Sequence, residues 1–151
     1  MPSLSEQARE HFKLALLAAP QISGVGSDVH RAREDAFSDT ESSDGAINIC
    51  AGDEAARALG ERVDDNELVV EVEIHVRAAQ NEVWETKADT IAVAAHAKLM
   101  AYTSWPVWIA KIRHMGVDRG GDRGNRTPGK ETHRYAVRFL SSAQALDTAP
   151  T

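Results

Sequence analysis

The stretch from Glu67 to Arg77, ELVVEVEIHVR, alternates without a break. Leu68, Val70, Val72, Ile74 and Val76 are all apolar, and four of the five residues between them (Glu71, Glu73, His75 and Arg77, with Val69 the exception) are polar. A period of two predicts a strand with one face buried and the other wet. A chain carrying such a strand must therefore cover one sheet face and leave the other to solvent.

The cover is found in the stretch that follows. Trp84, Ala88, Ile91, Ala95, Leu99 and Tyr102 recur at steps of four and three, a helical stripe rich in small residues that admits a close neighbour. Pro106 marks its end. A second helix is predicted over 4–18. Ser3 and Glu6 form a capping box, Leu4, Ala8, Phe12, Ala15, Leu16 and Ala19 keep helical spacing, and Pro20 stops it.

The remaining elements are shorter. Val25–Glu34 is expected as a strand, residues 35–45 as an acidic loop, and Ala46–Ala51 as a short apolar strand broken by Gly52-Asp53. Residues 54–66, which include Asp64 and Asp65, read as a polar link. Strands are expected over 107–115 and 132–140, the second with Tyr135, Val137 and Phe139 on one face. Gly-rich residues 116–130 between them read as a long basic loop, and the polar residues after Ser142 as a flexible tail. The expected fold is α+β: one domain over residues 1–142, with a mixed or antiparallel sheet of four to five strands and two main helices on one face. Residues 143–151 form the tail.

At 151 residues the chain is long enough to bury a core without crosslinks. Its one cysteine, Cys50, lies in an apolar run, which points to an inert thiol and a reducing compartment. No signal peptide and no membrane-length apolar run is visible. The formal charge of −6 is unevenly spread: residues 111–138 hold eight Lys/Arg against three Asp/Glu. The rest is strongly acidic. Such a split suits a nucleic-acid patch or complementary patches on neighbouring copies.

One stretch comes close to a catalytic signature. GNRTPGKE, residues 124–131, nearly matches G-x-x-x-x-G-K-[ST], with Gly124, Gly129 and Lys130 in place but Glu131 where a hydroxyl should hold magnesium. A phosphate cradle also needs a helix directly after it, and the residues after Lys130 alternate like a strand. A nucleotide-binding enzyme using Gly129 and Lys130 is thus the remote reading. The six histidines show no H-x-x-x-H spacing, and no catalytic, cofactor or metal constellation is expected. His75 with Glu71 and Glu73 reads as a solvated face, and His96 as a partly buried helix histidine. Arg119, Arg123, Arg126 and Lys130 suit phosphate contact, but the loop has no aromatic to stack bases.

The order of elements, together with EQAREHFKLALLAAP, INICAGDE, LVVEVEIHVRA and the long Ala-rich helix, resembles the tail terminator proteins of long-tailed phages, the lambda-like minor tail protein family. The resemblance covers about residues 4–142. It implies a structural protein, not an enzyme, without cofactor. It implies a six-membered ring on the head-proximal end of the tail tube that stops tube growth and offers a surface to the head. The implied partners are further copies of the chain, the tail tube protein and a head-completion or neck protein. DNA would pass through the channel without specific binding, and no membrane is involved. The implied place is the virion tail or neck, reached from the host cytoplasm. Other neck and tail-completion proteins share this outline. Because the family makes its contacts through loops, the corresponding candidates are Asp35, Asp39, Glu41 and Asp44 in one loop and Arg119, Arg123, Arg126 and Lys130 in the other.

Overall fold

The computed structural model describes residues 2–32, 45–77, 83–121 and 129–150. Two helices pack on one face of a five-stranded mixed sheet, an α+β arrangement. Helix α1 spans Leu4–Leu17, and the Ser3 hydroxyl accepts the Glu6 amide at 3.2 Å, as the capping box predicts. Leu4, Ala8, Phe12, Ala15 and Leu16 are its buried apolar face. At its other end the Lys98 ammonium donates to the Ala18 and Pro20 carbonyls, the second at 2.7 Å. Carbonyls that a helix end leaves unpaired thus gain a cation from the second helix.

Strand β1 is only Val29–Arg31, shorter than expected, and runs parallel to β2. Strand β2 spans Gly45–Ala58 and β3 spans Val63–Val76. The expected break at Gly52-Asp53 is a bulge: pairing shifts between Ala51 and Glu54 and then resumes from Glu54–Leu68 to Ala58–Asp64. A side chain at Gly52 would lie 3.0 Å from the Val69 carbonyl, so a glycine lets the bulged backbone approach β3. Residues 54–66 are therefore no link but the end of a long hairpin, closed where the Leu59 amide donates to the Val63 carbonyl at 2.9 Å.

Helix α2 spans Trp84–Ala101 and buries Trp84, Ala88, Ile91, Ala92, Ala95 and Leu99. Strands β4 (Ile109–Gly121) and β5 (Gly129–Ser142) are longer than expected and absorb both ends of the supposed basic loop. The sheet order is β1-β2-β3-β5-β4, antiparallel except for the first pair. The loop residues at 35–44 and 122–128, with Asp35, Asp39, Glu41, Asp44, Arg123 and Arg126, lie outside the described residues.

The core lies between sheet and helices. Leu68, Val70, Val72, Ile74 and Val76 are all at most 1% exposed, and Tyr135, Val137 and Phe139 lie beside them on β5. Burying each such side chain contributes roughly 1.5–3 kcal/mol. Helix α1 covers β1 and β2, and α2 covers β3 and β5. Strand β4 has no helix of its own among the described residues; α2 reaches it through side chains at its rim.

The opposite face is a ladder of charge. Glu71 meets Arg134 at 3.4 Å, Glu73 meets Lys130 at 3.8 Å, and Asp65 meets Arg138 at 2.8 Å. Asp65, expected in a solvated link, is a paired strand residue. The uneven charge of the sequence is thus largely matched inside one subunit, where basic β5 runs against acidic β3. The residues after Ser142, expected as a flexible tail, make backbone bonds back to the fold. Leu146 accepts from the Leu4 amide at 2.9 Å, and the Ala143 amide donates to Arg62 at 3.0 Å. Among the described residues no helix is long and apolar enough to cross a membrane.

Candidate functional site

Gly129 and Lys130 open β5 and are followed by twelve more strand residues, with no helix to supply amides to a phosphate. Gly129 faces the first residue of α2. A side chain there would lie 2.3 Å from the Trp84 indole, so this glycine makes room for a ring. Lys130 points to the other face, toward Glu73. Together these positions do not meet the geometry of a nucleotide cradle. Arg119 and Lys130, expected in a loop, are both strand residues with carboxylate partners.

The densest chemistry lies on the helix side of the sheet, where β4 and β5 emerge from under α2. Register sets His114 against Tyr135, Val117 against His133 and Arg119 against Glu131. Glu131 continues the alternation of Phe139, Val137, Tyr135 and His133, so the strand carries its carboxylate inward. It is fully buried. One oxygen, Oε1, accepts from His133 Nε2 at 2.5 Å. The other, Oε2, has no hydrogen bond and lies 3.4 Å from Arg119 Nε. Arg119 also reaches Asp89 on α2 at 3.2 Å. Burial pushes the Glu131 carboxyl above its ordinary range, and the His133 bond opposes that shift.

A chain of contacts leads outward from Glu131. His133 Nδ1 lies 2.9 Å from His114 Nε2. With Glu131 ionised, His133 donates through Nε2 and accepts the His114 Nε2–H, which leaves His114 Nδ1 as the outer end. Burial lowers the His114 pKa, and the neighbouring His133 and His96 lower it further. His96 Nδ1 lies 3.0 Å from the Tyr135 hydroxyl, whose pKa burial pushes up to about 12. These rings floor an open groove of about 590 Å³ walled by Ala92, Val93 and Ala97 of α2.

Chemically the arrangement can pass a proton from the groove to a buried carboxylate. Among the described residues the groove lining contains no Ser, Thr or Cys that would act as a nucleophile beside it. Among the described residues no three His, Cys, Asp or Glu side chains converge as metal ligands. His75 lies on the charged face 3.3 Å from Glu73, remote from the groove. Cys50 is half-buried on that same face, and burial beside Glu73 and Glu71 pushes its thiol up to about 11.

Sequence reasoning gave Asp89, His114 and His133 no role, weighed Glu131 only as the residue out of place in the phosphate-loop pattern, and read His96 as a partly buried helix histidine. A partial signal is present for the pair on β5: extending the alternation of Tyr135, Val137 and Phe139 back by two steps places His133 and Glu131 on the buried face. His114 has no such signal, because only the register of β4 on β5 brings it there.

No protein-family model matches the chain, and no curated protein matches it.

Proposed function

We propose that this chain is a structural, ring-forming tail terminator of a long-tailed phage. It forms a hexamer on the head-proximal end of the tail tube, stops tube polymerisation and presents the surface on which the head is joined. Its partners are copies of itself, the tail tube protein and a head-completion or neck protein. It acts without catalysis or cofactor, in the virion after assembly in the host cytoplasm, and DNA passes its channel without specific binding.

The observation that carries this reading is the one-sided build of the sheet. Both helices lie on one face, no described helix or strand covers the other, and the two edges of the described sheet are unlike. Unlike edges are what heterologous, head-to-tail association requires, and head-to-tail association closes into a ring when the rotation permits. The fold also has the element order on which the resemblance rests. On the sheet face away from the helices Lys130, Arg134 and Arg138 are each held by a carboxylate, which favours non-sticking passage, since tight nonspecific binding of DNA comes from cations free to neutralise phosphates.

The test is assembly. Purified protein is mixed with tail tubes that lack a terminator and followed by mass photometry and cryo-microscopy. A six-fold ring seated on one tube end is expected, with tube growth halted. A protein that remains monomeric beside intact tube ends refutes the reading. A ring found elsewhere in the neck assigns the chain to another connector or tail-completion role.

A further inference from the structure

The ring reading leaves open which surfaces join the copies, and the inference below rests on that reading. Apart from the outer side of the three-residue β1, the described sheet has two unpaired stretches. One is β4, hydrogen-bonded only to β5. The other is the second half of β2. β1 covers only Ile47–Ile49, so residues 50–58 have β3 on one side and no described strand on the other. Exposed edges of this length invite a further strand.

Polarity makes the two edges compatible. β5 runs in the same direction as β2, and β4 runs opposite to β5. Rotation about an axis along the strands preserves direction, so β4 of one copy meets β2 of the next antiparallel, continuing the alternation already present. Height matches as well. Following the register across the sheet, Ile112 is level with Val137, Leu68 and Glu54, and His114 is level with Tyr135, Val70 and Ala51. Copies in a ring stand at one height, so residues 109–114 face residues 51–56 of the neighbour, and β4 parts from that neighbour at its His114/Gly116 irregularity, because Val117–Arg119 are level with Ile47–Ile49, where β1 already pairs. Each edge carries a bulge at this level, at Ile109/Lys111 and Ala51/Glu54, which blocks flat, generic strands and favours a partner of matching shape.

The charges point the same way. Lys111 and Arg113 are exposed and make no ion pair among the described residues, although Arg119, Lys130, Arg134 and Arg138 nearby all do. Register places Lys111 level with Ala55 of the neighbouring β2, with Glu67 one strand further in, and Arg113 level with the bulge that holds Asp53. Glu67 and Asp53 are likewise exposed and without an ion pair among the described residues. Adding a copy at β4 also brings its α1, which covers β1 and β2, beside the flank of α2 where Val93 is 73% exposed.

We propose that copies of this chain join through β4 of one and residues 50–58 of β2 of the next. The result is a sheet continuous around the ring, with Arg113 beside Asp53 and Lys111 level with Glu67 across Ala55.

Charge reversal on each side tests it. Lys111→Glu/Arg113→Glu and Asp53→Lys/Glu67→Lys are prepared separately, with circular dichroism and melting as folding controls, and their masses are measured at low salt. Each variant alone is expected to lose the wild-type oligomer, because its own two edges now repel. An equimolar mixture is expected to regain it with the variants alternating. Either variant assembling alone like wild type overturns the seam, and so does a mixture of folded variants that stays monomeric. A second measurement covers a reversal that fails to fold: Arg113→Cys/Asp53→Cys in a Cys50→Ser background should give intermolecular disulfides that end at ring size. An assembled sample without such links overturns the seam and leaves the ring reading intact. A wild type that stays monomeric even on tail tubes overturns both.

Discussion

Gly129→Ala separates two explanations of one glycine. If Gly129 belongs to a phosphate loop, adding a methyl group leaves the fold alone. If it makes room for Trp84, the methyl must displace the ring. The added carbon would lie 2.3 Å from two indole atoms and 2.8 Å from a third, well inside contact distance. The indole is only 9% exposed and starts α2, so it has little room to retreat. Overpacking of this kind costs about 1–3 kcal/mol. Replacing glycine by alanine also restricts the unfolded chain, which returns about 0.4–1 kcal/mol. The net expectation is a loss of about 1–2 kcal/mol, or a drop in Tm of roughly 2–8 °C for a chain of this size. Urea denaturation followed by circular dichroism measures it. Trp84→Ala supplies the control: on that background Gly129→Ala should cost nothing and should gain the small entropic term. A Gly129→Ala protein as stable as wild type, with no coupling to Trp84, refutes the packing argument.

Other expectations follow from the same contacts. His11, His75 and His114 all have lowered pKa values, chiefly through burial, so the folded state binds fewer protons than the unfolded chain. Their contribution to stability is present above the ordinary value of 6.5 and is lost as pH falls below it; denaturation midpoints measured from pH 7.5 to 5 should decline, and His114→Gln should shallow that decline. Glu131 titrates in the opposite sense, since a raised carboxyl favours the folded state when protonated, and Glu131→Gln should remove its share of the pH dependence. Cys50, with its thiol pushed up to about 11, should react slowly with Ellman's reagent at pH 8 and at the rate of a free thiol in denaturant. Asn66 is buried and donates to the Ser141 hydroxyl at 2.8 Å, so Asn66→Ala should cost about 1–3 kcal/mol in urea denaturation.

Much of the architecture is legible in the sequence because local pattern and burial agree. The stripe from Trp84 to Leu99 is the buried face of α2, and the alternation from Leu68 to Val76 is the buried face of β3. The second half of β2 is not legible. EAARA at 54–58 has the composition of a helix, and it is held extended by pairing with residues 64–68 across a turn whose partner strand lies downstream. The ends of β4 and β5 are hidden for a related reason. Gly120, Gly121 and Gly129 read as loop residues, yet each pairs across the ladder. The histidine cluster is assembled from α2, β4 and β5, and no local period encodes which residues of three elements come level. The charge split is visible in the sequence, but whether it faces inward to a neighbouring strand or outward to another copy depends on the order of strands.

The central position of β3 has a consequence for motion. It is flanked along its whole length, by β2 on one side and β5 on the other, while β4 has one neighbour and β1 contributes three residues. Amide protons on β3 should therefore exchange last, near the global unfolding limit, and those of β4 and the far half of β2 first. The portion of the molecule proposed to meet other copies is also the portion that opens most readily. Joining would then quiet the fraying margins, and deuterium uptake at residues 109–114 would report on a ring before any microscope does.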